Sequence, residues 1–272
     1  MLDLEAQGKS LVGATLSAIW RKSIPIMGGP LKGKRLPKAV ALQNLSMLCG
    51  RYEPEVVSEL LSTVDRQMIA YDIGAHVGFM TLVLAKGIGN GKIFAFEPVQ
   101  ENWHLLEQLI IDNDLSGFIV VVPAALGNRD ENQTIFIYKS SAMNLLEAAV
   151  DGQDTSDCPH RTVNTLTLDN FVFKQGNAAP GLLKIDVEGA EALVIEGGLR
   201  TLEVYSPKII IEIHGPRNAQ KTWRLVHNLN YQWSHLCRGG RKEVAKEENL
   251  LSLFSKNSWV HHFLLTRKIK SF

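Results

Sequence analysis

The sequence has few cysteines, and the three that it has lie far apart. Cys49, Cys158 and Cys237 have no close cysteine neighbour, so the disulfide framework of small secreted proteins is excluded and a reducing cytoplasm is the expected compartment. Cys158 and His160 are two residues apart, but a zinc site normally needs a second pair of ligands. We interpret both as loop residues.

Long hydrophobic runs are also missing. No apolar stretch approaches the roughly 20 residues that a membrane-spanning helix needs, and residues 1–5 lack the basic start of a signal peptide. The sequence therefore predicts a cytoplasmic protein without a membrane span.

An excess of charge of one sign is the third feature that the sequence lacks. It has 29 basic and 28 acidic residues, with a net charge of +1, so the basic field typical of nucleic-acid binders is missing and a nucleic-acid substrate is disfavoured. A chain of 272 residues with 45% apolar content is long enough to bury one sizeable α/β core. We predict a helical and loop extension over residues 1–50 and one catalytic domain over residues 51–272.

The most informative motif spans residues 68–78, where an apolar strand leads through a glycine turn into a helix. Gly74 and Gly78 allow a sharp turn and the close approach of a ligand. A dinucleotide-binding turn would place a glycine where Asp72 stands. Because a carboxylate there repels phosphate and attracts an ammonium or sulfonium group, the turn favours S-adenosylmethionine over NAD.

A second apolar strand, residues 91–96, ends on Glu97 and Pro98. Glu97 follows Asp72 by 25 residues, near the spacing of about 20 residues expected for an acidic residue that reaches a ribose. Its carboxylate offers two acceptor oxygens to the two ribose hydroxyls.

A third motif covers residues 181–191 and places charges in a segment expected to be a buried parallel strand. By the alternation of side chains along a strand, Lys184, Asp186 and Glu188 share one side. One interpretation is a structural ion pair between Lys184 and Asp186. The other places Asp186 and Glu188 in the crevice at the carboxyl end of the strand, where open α/β sheets bind ligands.

Residues 207–215 form a fourth strand pattern that ends on a polar pair. Glu212 and His214 point the same way by the period of two, and we expect them beside the strand of Asp186. A histidine at such a position is either a hydrogen-bonded structural residue or a functional one.

Strand and helix patterns alternate along the chain, as a doubly wound parallel sheet requires. Residues 233–237 and 260–266 are expected to add an antiparallel pair, although residues 259–265 also fit a helix.

The long segment 142–161 is either an active-site cover or a disordered excursion. Residues 28–35 imitate a phosphate-binding loop, but Arg35 replaces the hydroxyl that would bind magnesium.

These motifs together resemble the FkbM-type methyltransferases. The matching segments are residues 72–78, 96–98 with Asn102, 125–128, 165–169, 183–191 and 211–214. The resemblance implies a Rossmann-like class I methyltransferase fold, a mostly parallel seven-stranded sheet with helices on both faces. It also implies that the enzyme moves a methyl group from S-adenosylmethionine to a hydroxyl oxygen of a small molecule, sugar or glycan.

On this resemblance the expected site residues fall into two sets. The catalytic set is His214, Asp186 and Glu188. The cofactor-binding set is Asp72, Gly74, Ala75, His76, Gly78, Glu97, Pro98, Asn102, Ala125, Leu126 and Asp186. His76 departs from the family, which often has asparagine there.

The mechanism needs a base that removes the hydroxyl proton, because the sulfonium methyl group is already electrophilic. His214 is the first candidate because the ordinary pKa of histidine suits neutral pH, with Asp186 or Glu188 as alternatives. A variant that we favour less places a divalent ion on Asp186, Glu212 and His214. The competing functions are an S-adenosylmethionine-binding pseudoenzyme and an NAD-dependent dehydrogenase-like protein.

Overall fold

The computed structural model of the protein describes residues 23–137, 144–146, 158–255 and 258–267. The helix pattern near the N-terminus and most of segment 142–161 lie outside the described residues. The strands are β1 Ser23–Pro25, β2 Arg35–Pro37, β3 Ile69–Ile73, β4 Lys92–Phe96, β5 Ile119–Val122, β6 Ala125–Gly127, β7 Glu131–Ile137, β8 Asn144–Leu146, β9 His160–Thr167, β10 Leu182–Ile185, β11 Lys208–His214, β12 Tyr231–Cys237, β13 Gly240–Val244 and β14 Val260–Arg267. The helices are α1 Lys38–Gln43, α2 Leu45–Leu48, α3 Pro54–Thr63, α4 Phe79–Gly87, α5 Gln100–Asp112, α6 Glu191–Glu196, α7 Leu199–Tyr205, α8 Pro216–His227 and α9 Glu247–Leu251, with a π-helical turn at Asn170–Lys174.

The main sheet has eight strands in the order β13-β12-β14-β11-β10-β3-β4-β5. The five strands from β11 to β5 are parallel, and β14, β12 and β13 are antiparallel additions. The prediction of seven strands was short by one, because Arg238 and Gly239 form a tight turn that folds β13 back onto β12. Gly239 and Gly240 have φ angles of 93° and 123°, which residues other than glycine rarely adopt.

The predicted antiparallel pair is confirmed as β12 and β14. The alternative of a helix over residues 259–265 is wrong, because β14 pairs with β11 on one side and β12 on the other. These two ladders satisfy the backbone hydrogen bonds of the segment and bury Phe263, Leu264 and Leu265.

The chain reverses its direction of travel across the sheet at β3. It runs outward from β3 through β4 to β5, and later fills the other side of β3 with β10 and then β11. In an open α/β sheet the crevice for a ligand lies at the carboxyl ends of the strands where the order reverses. The doubly wound arrangement therefore places the crevice between β3 and β10.

Apolar clusters cover both faces of the sheet. One face packs against α3, α4 and α5, and the other against α7 and α8. The described part of the N-terminal extension belongs to the first cluster through buried residues that include Ile26, Leu36 and Met47. The backbone N–H of Arg35 also donates to the side chain of Asn113 at the end of α5. The boundary between residues 50 and 51 stays a prediction.

A smaller sheet follows β5, with the order β6-β9-β7-β8. Since β6 begins only three residues after β5 ends, Ala125 and Leu126 lie near the carboxyl end of the parallel strands. Within the described ranges, no helix is long and apolar enough to cross a membrane.

Candidate active site

A cleft with about 920 Å³ of empty space, open solvent at its mouth included, lies at the carboxyl ends of β3, β4 and β10. It lies where the strand order predicts a ligand crevice. Ten of the predicted residues line it: Gly74, Ala75, His76, Glu97, Pro98, Asn102, Ala125, Leu126, Asp186 and Glu188. Asp72, Gly78 and His214 are not among the residues that line it.

The turn after β3 depends on the glycine at position 74. Gly74 has a φ of 79°, and a Cβ atom there would lie 1.8 Å from the carbonyl oxygen of Asp186. The turn is fixed by N–H groups of Gly74 and Ala75 that donate to the carbonyl of Phe96. This close packing aligns the turn of β3 with the end of β10.

Gly78 serves the helix behind the turn. It has a φ of 88°, and a Cβ atom there would lie 2.5 Å from a methyl group of Leu106 in α5. The missing side chain of Gly78 thus makes room for helix packing, and its predicted contact with the cofactor stays a prediction.

Glu97 forms part of the cleft wall and is only 5% exposed. One carboxylate oxygen accepts from the N–H of Val99 and the side-chain amide of Asn102, and the other accepts from the N–H of His76. Burial raises the pKa of Glu97 to about 7, although these three donors oppose the shift. Glu97 is thus a fixed acceptor whose charge changes near neutral pH.

Asp72 lies beneath the cleft with no exposed surface. Thr81 donates to one of its oxygens at 2.5 Å, and the ammonium of Lys184 lies 3.6 Å from the other. The predicted direct attraction between Asp72 and a sulfonium group does not fit this position. Asp72 instead holds Lys184, a part of the cleft wall.

Lys184 links the two carboxylates at the strand ends. It is directly beside Asp72 in the register of β10 and β3, and its ammonium lies 3.2 Å from Asp186. Burial alone lowers the pKa of Lys184, but Asp186 and Asp72 raise it above its ordinary value. The predicted ion pair with Asp186 is present, and Asp186 lines the cleft as well, so the two interpretations of this residue are compatible.

Glu188 reaches the cleft by a turn and not by strand alternation. Strand β10 ends at Ile185, and Glu188 and Gly189 have φ angles of 51° and 96°. The prediction that Lys184, Asp186 and Glu188 share one side of a strand therefore fails at Glu188. Burial raises the pKa of Glu188 to about 7, while His214 partly opposes the shift.

His214 is held behind the cleft by three carboxylates. Its Nδ1 lies 2.8 Å from Glu191, and its Nε2 lies 3.2 Å from Glu188 and 3.4 Å from Glu212. Burial lowers the pKa of His214, but hydrogen bonds to Glu191 and Glu212 raise it to about 11. An imidazolium ring cannot accept a proton at neutral pH, which argues against His214 as the base.

Glu191 fixes the orientation of His214. Its carboxylate is fully buried and also accepts hydrogen bonds from the backbone N–H of Gly189 and the side-chain amide of Asn218. The sequence motif contained Glu191, but its contact with the histidine of another strand was not predicted.

The three residues of the metal variant do converge. One ligand atom each from Asp186, Glu212 and His214 lie within 4.8 Å of one another. A second such group, Glu53, Glu212 and His262, shares Glu212. The chemistry of these donors suits a divalent ion, so the variant stays a prediction for experiment.

Met47 and Tyr52 also line the cleft, and the sequence did not single them out. Neither belongs to a recognisable motif. The only local signal is the aromatic residue just before the acidic start of α3, at Glu53 and Pro54.

A family model matches more than half of the chain. The family model described as "Methyltransferase FkbM domain" matches residues 72–233. A curated relative, the hexuronic acid methyltransferase AglP of Haloferax volcanii, is 26% identical over 201 residues, which cover 73% of this chain and 79% of the relative.

Solved structures resemble the chain in fold at low identity. A candidate rRNA methylase from Clostridium thermocellum has a TM-score of 0.50 at 10% identity, covering 80% of this chain and 96% of that one. The FkbM methyltransferase structure from Methylobacillus flagellatus has a TM-score of 0.48 at 15% identity and covers 85% of this chain. The matched region spans 56% of the length of that protein. The doubly wound sheet and the likeness to the Clostridium structure show a Rossmann-like fold.

Proposed function

Because the chain belongs to the methyltransferase FkbM domain family, we propose that it uses S-adenosylmethionine to methylate a hydroxyl oxygen of a sugar or another small molecule. The observation that carries the proposal is the cleft at the reversal of strand order, with Glu97 at one part of its wall and Asp186 and Glu188 at another. The relative that methylates a hexuronic acid supports a sugar acceptor.

In this proposal Glu97 accepts hydrogen bonds from the ribose hydroxyls. The turn at Gly74, Ala75 and His76 allows the backbone to approach the cofactor, and Leu126 packs against the adenine. The excess of carboxylates around Asp186 and Glu188 favours binding of the positively charged sulfonium group. The cofactor itself supplies the electrophilic methyl group.

We assign the base to Glu188. It lines the cleft, whereas His214 lies behind it. The imidazolium of His214, anchored on Glu191, orients the Glu188 carboxylate from its far side at 3.2 Å. Asp186 is tied to Lys184 and orients the acceptor hydroxyl. A carboxylate with a raised pKa is a stronger base than an ordinary one.

The test of the function combines binding and transfer. Calorimetry with S-adenosylmethionine, S-adenosylhomocysteine and NAD separates a methyltransferase from a dehydrogenase-like protein, and preferential NAD binding would overturn the proposal. A mass-spectrometric screen of glycan, polyketide and peptide acceptors then detects methylated products. Cofactor binding without transfer to any acceptor would favour the pseudoenzyme.

Glu97→Gln is expected to weaken S-adenosylmethionine binding by about 1.5–3 kcal/mol, or about 10- to 150-fold, because hydrogen bonds to a charged acceptor are lost. In the parent protein, affinity should rise between pH 6 and pH 8, since Glu97 loses its proton near pH 7 and the ionised form is the better acceptor. The variant should show no such rise. Glu107→Gln, an exposed position on the following helix α5, is the control for calorimetry. Equal pH dependence in all three proteins would remove the assignment.

Exhaustive removal of metal is expected to leave turnover unchanged, because the proposed proton transfer to Glu188 needs no Lewis acid. The measurement is the initial rate of methyl transfer before and after chelation and gel filtration, with metal content determined on the same samples. Loss of activity that returns with a divalent ion would instead support the variant on Asp186, Glu212 and His214.

A further inference from the structure

The cleft is lined by two parts of the chain. The turns after β3, β4 and β5, and Asp186 and Glu188, lie within the region matched by the family model. Met47 and Tyr52 also line the cleft but precede that region. We propose that Met47, Tyr52, Asp186 and Glu188 form the acceptor subsite, and that it selects a polyhydroxylated ring without a carboxylate over the corresponding uronic acid. This inference rests on the proposed function and narrows its substrate class.

Tyr52 provides a fixed aromatic wall. Its ring meets that of Phe79 edge to face, with centroids 5.3 Å apart and an angle of 76°. Its hydroxyl is hydrogen-bonded to Glu53, and Glu53 in turn lies 3.6 Å from His262 on β14. A ring held at both ends presents an apolar surface without further ordering, and the C–H face of a sugar ring can pack on it.

Polar recognition in this subsite depends on side chains that accept hydrogen bonds. Ionised carboxylates accept hydrogen bonds and donate none, so Asp186 and Glu188 suit the hydroxyl donors of a sugar. Lys184 is the only lysine among the described lining residues, and no arginine is among them. Its ammonium is already shared between Asp72 and Asp186.

The charge behind the wall is also negative. Among the described residues joined by these ion pairs, the carboxylates are Asp72, Asp186, Glu188, Glu53, Glu191 and Glu212, and the basic side chains are Lys184, His214 and His262. This balance stays negative even with both histidines protonated. A carboxylate on the acceptor would enter this negative field, where the lysine of the described wall is already paired, and would be repelled.

The test uses the parent chain saturated with S-adenosylhomocysteine. Three matched classes of ligand are titrated into it: phenyl hexosides, the corresponding phenyl hexuronides and the neutral primary amides of those hexuronides. Each class is used in the gluco, galacto and manno configurations. Calorimetry should give a Kd about 30-fold or more weaker for the best-matched hexuronide than for its hexoside. The amide should bind within about 5-fold of the hexoside, because its size is that of the acid and its charge is zero. Equal or tighter binding of the acid, an amide as weak as the acid, or no binding of any hexoside would overturn the proposal.

Two variants locate the effect. Tyr52→Leu should raise the Kd of the hexoside about 10-fold and leave the Kd of S-adenosylhomocysteine within about 2-fold of the parent value. The control is Tyr205→Leu, which replaces a half-exposed tyrosine stacked on Phe173 and should change neither Kd. Glu53→Gln should narrow the ratio between acid and hexoside several-fold by removing one negative charge. If Tyr52→Leu weakens only cofactor binding, the subsite is misassigned.

The proposed function is judged separately. A protein that binds S-adenosylmethionine and methylates uronic acids would retain that function and refute the subsite. Absence of both cofactor binding and methyl transfer would refute the function itself.

Discussion

Glu188→Gln is expected to lower kcat about 10³-fold while the Kd of S-adenosylmethionine stays within about 3-fold of the parent value. The amide cannot accept the hydroxyl proton, and general base catalysis typically contributes a factor of about 10²–10⁴. Glutamine has nearly the same shape as glutamate, so the turn at residues 188–189 should persist. Single-turnover methyl transfer and calorimetry measure the two quantities.

The base role of Glu188 also predicts how kcat changes with pH. Glu188 is active when ionised, and burial raises its pKa to about 7. The parent kcat should therefore rise as pH increases through about 7 and then level, whereas the residual activity of Glu188→Gln should lack that step. Glu203→Gln, an exposed position on α7, is the matched control. A kcat within 3-fold of the parent would remove Glu188 as the base and return attention to Asp186.

Lys184→Met is expected to destabilise the fold by about 3–5 kcal/mol. The substitution leaves the fully buried Asp72 and the half-buried Asp186 without their shared cation, and breaking a buried pair by removing one partner costs this much because the remaining charge is uncompensated. For a domain of this size, this corresponds to a fall in Tm of about 6–20 °C. Urea and thermal unfolding followed by circular dichroism measure the loss.

A double variant separates charge from packing. In Asp72→Asn with Lys184→Met, the fully buried carboxylate is also removed, so part of the lost stability should return. Lys208→Met replaces an exposed lysine at the start of β11 and should have little effect. If Lys184→Met lowers the free energy of unfolding by less than about 1 kcal/mol, the ion pairs with Asp72 and Asp186 do not stabilise the fold as the structure implies.

The sequence predicted well what local pattern controls. The strand, glycine turn and helix around Gly74 and the strand ending at Glu97 are set by apolar periodicity and backbone freedom within a few residues, and both places are found in the cleft wall. The order of these elements also predicted a doubly wound sheet. The FkbM resemblance, carried by the same segments, is confirmed.

Local pattern gave no indication of contacts between residues that are distant in the sequence. Asp72 appeared to be a cofactor ligand because it stands at a strand end, but the register with β10 places Lys184 beside it and burial removes it from the cleft. His214 appeared to be a base because of its ordinary pKa, but Glu191 and Glu212 hold its proton. No local pattern reveals these contacts.

By itself, then, the sequence determined the fold class, the family and the two turns that border the cleft, because these follow from spacing along the chain. The tertiary structure decided which charged groups face the cleft, which are neutralised beneath it, and that Met47 and Tyr52 also line it. The physical reason is that strand register, burial and electrostatic fields arise only when segments far apart in the chain are packed together.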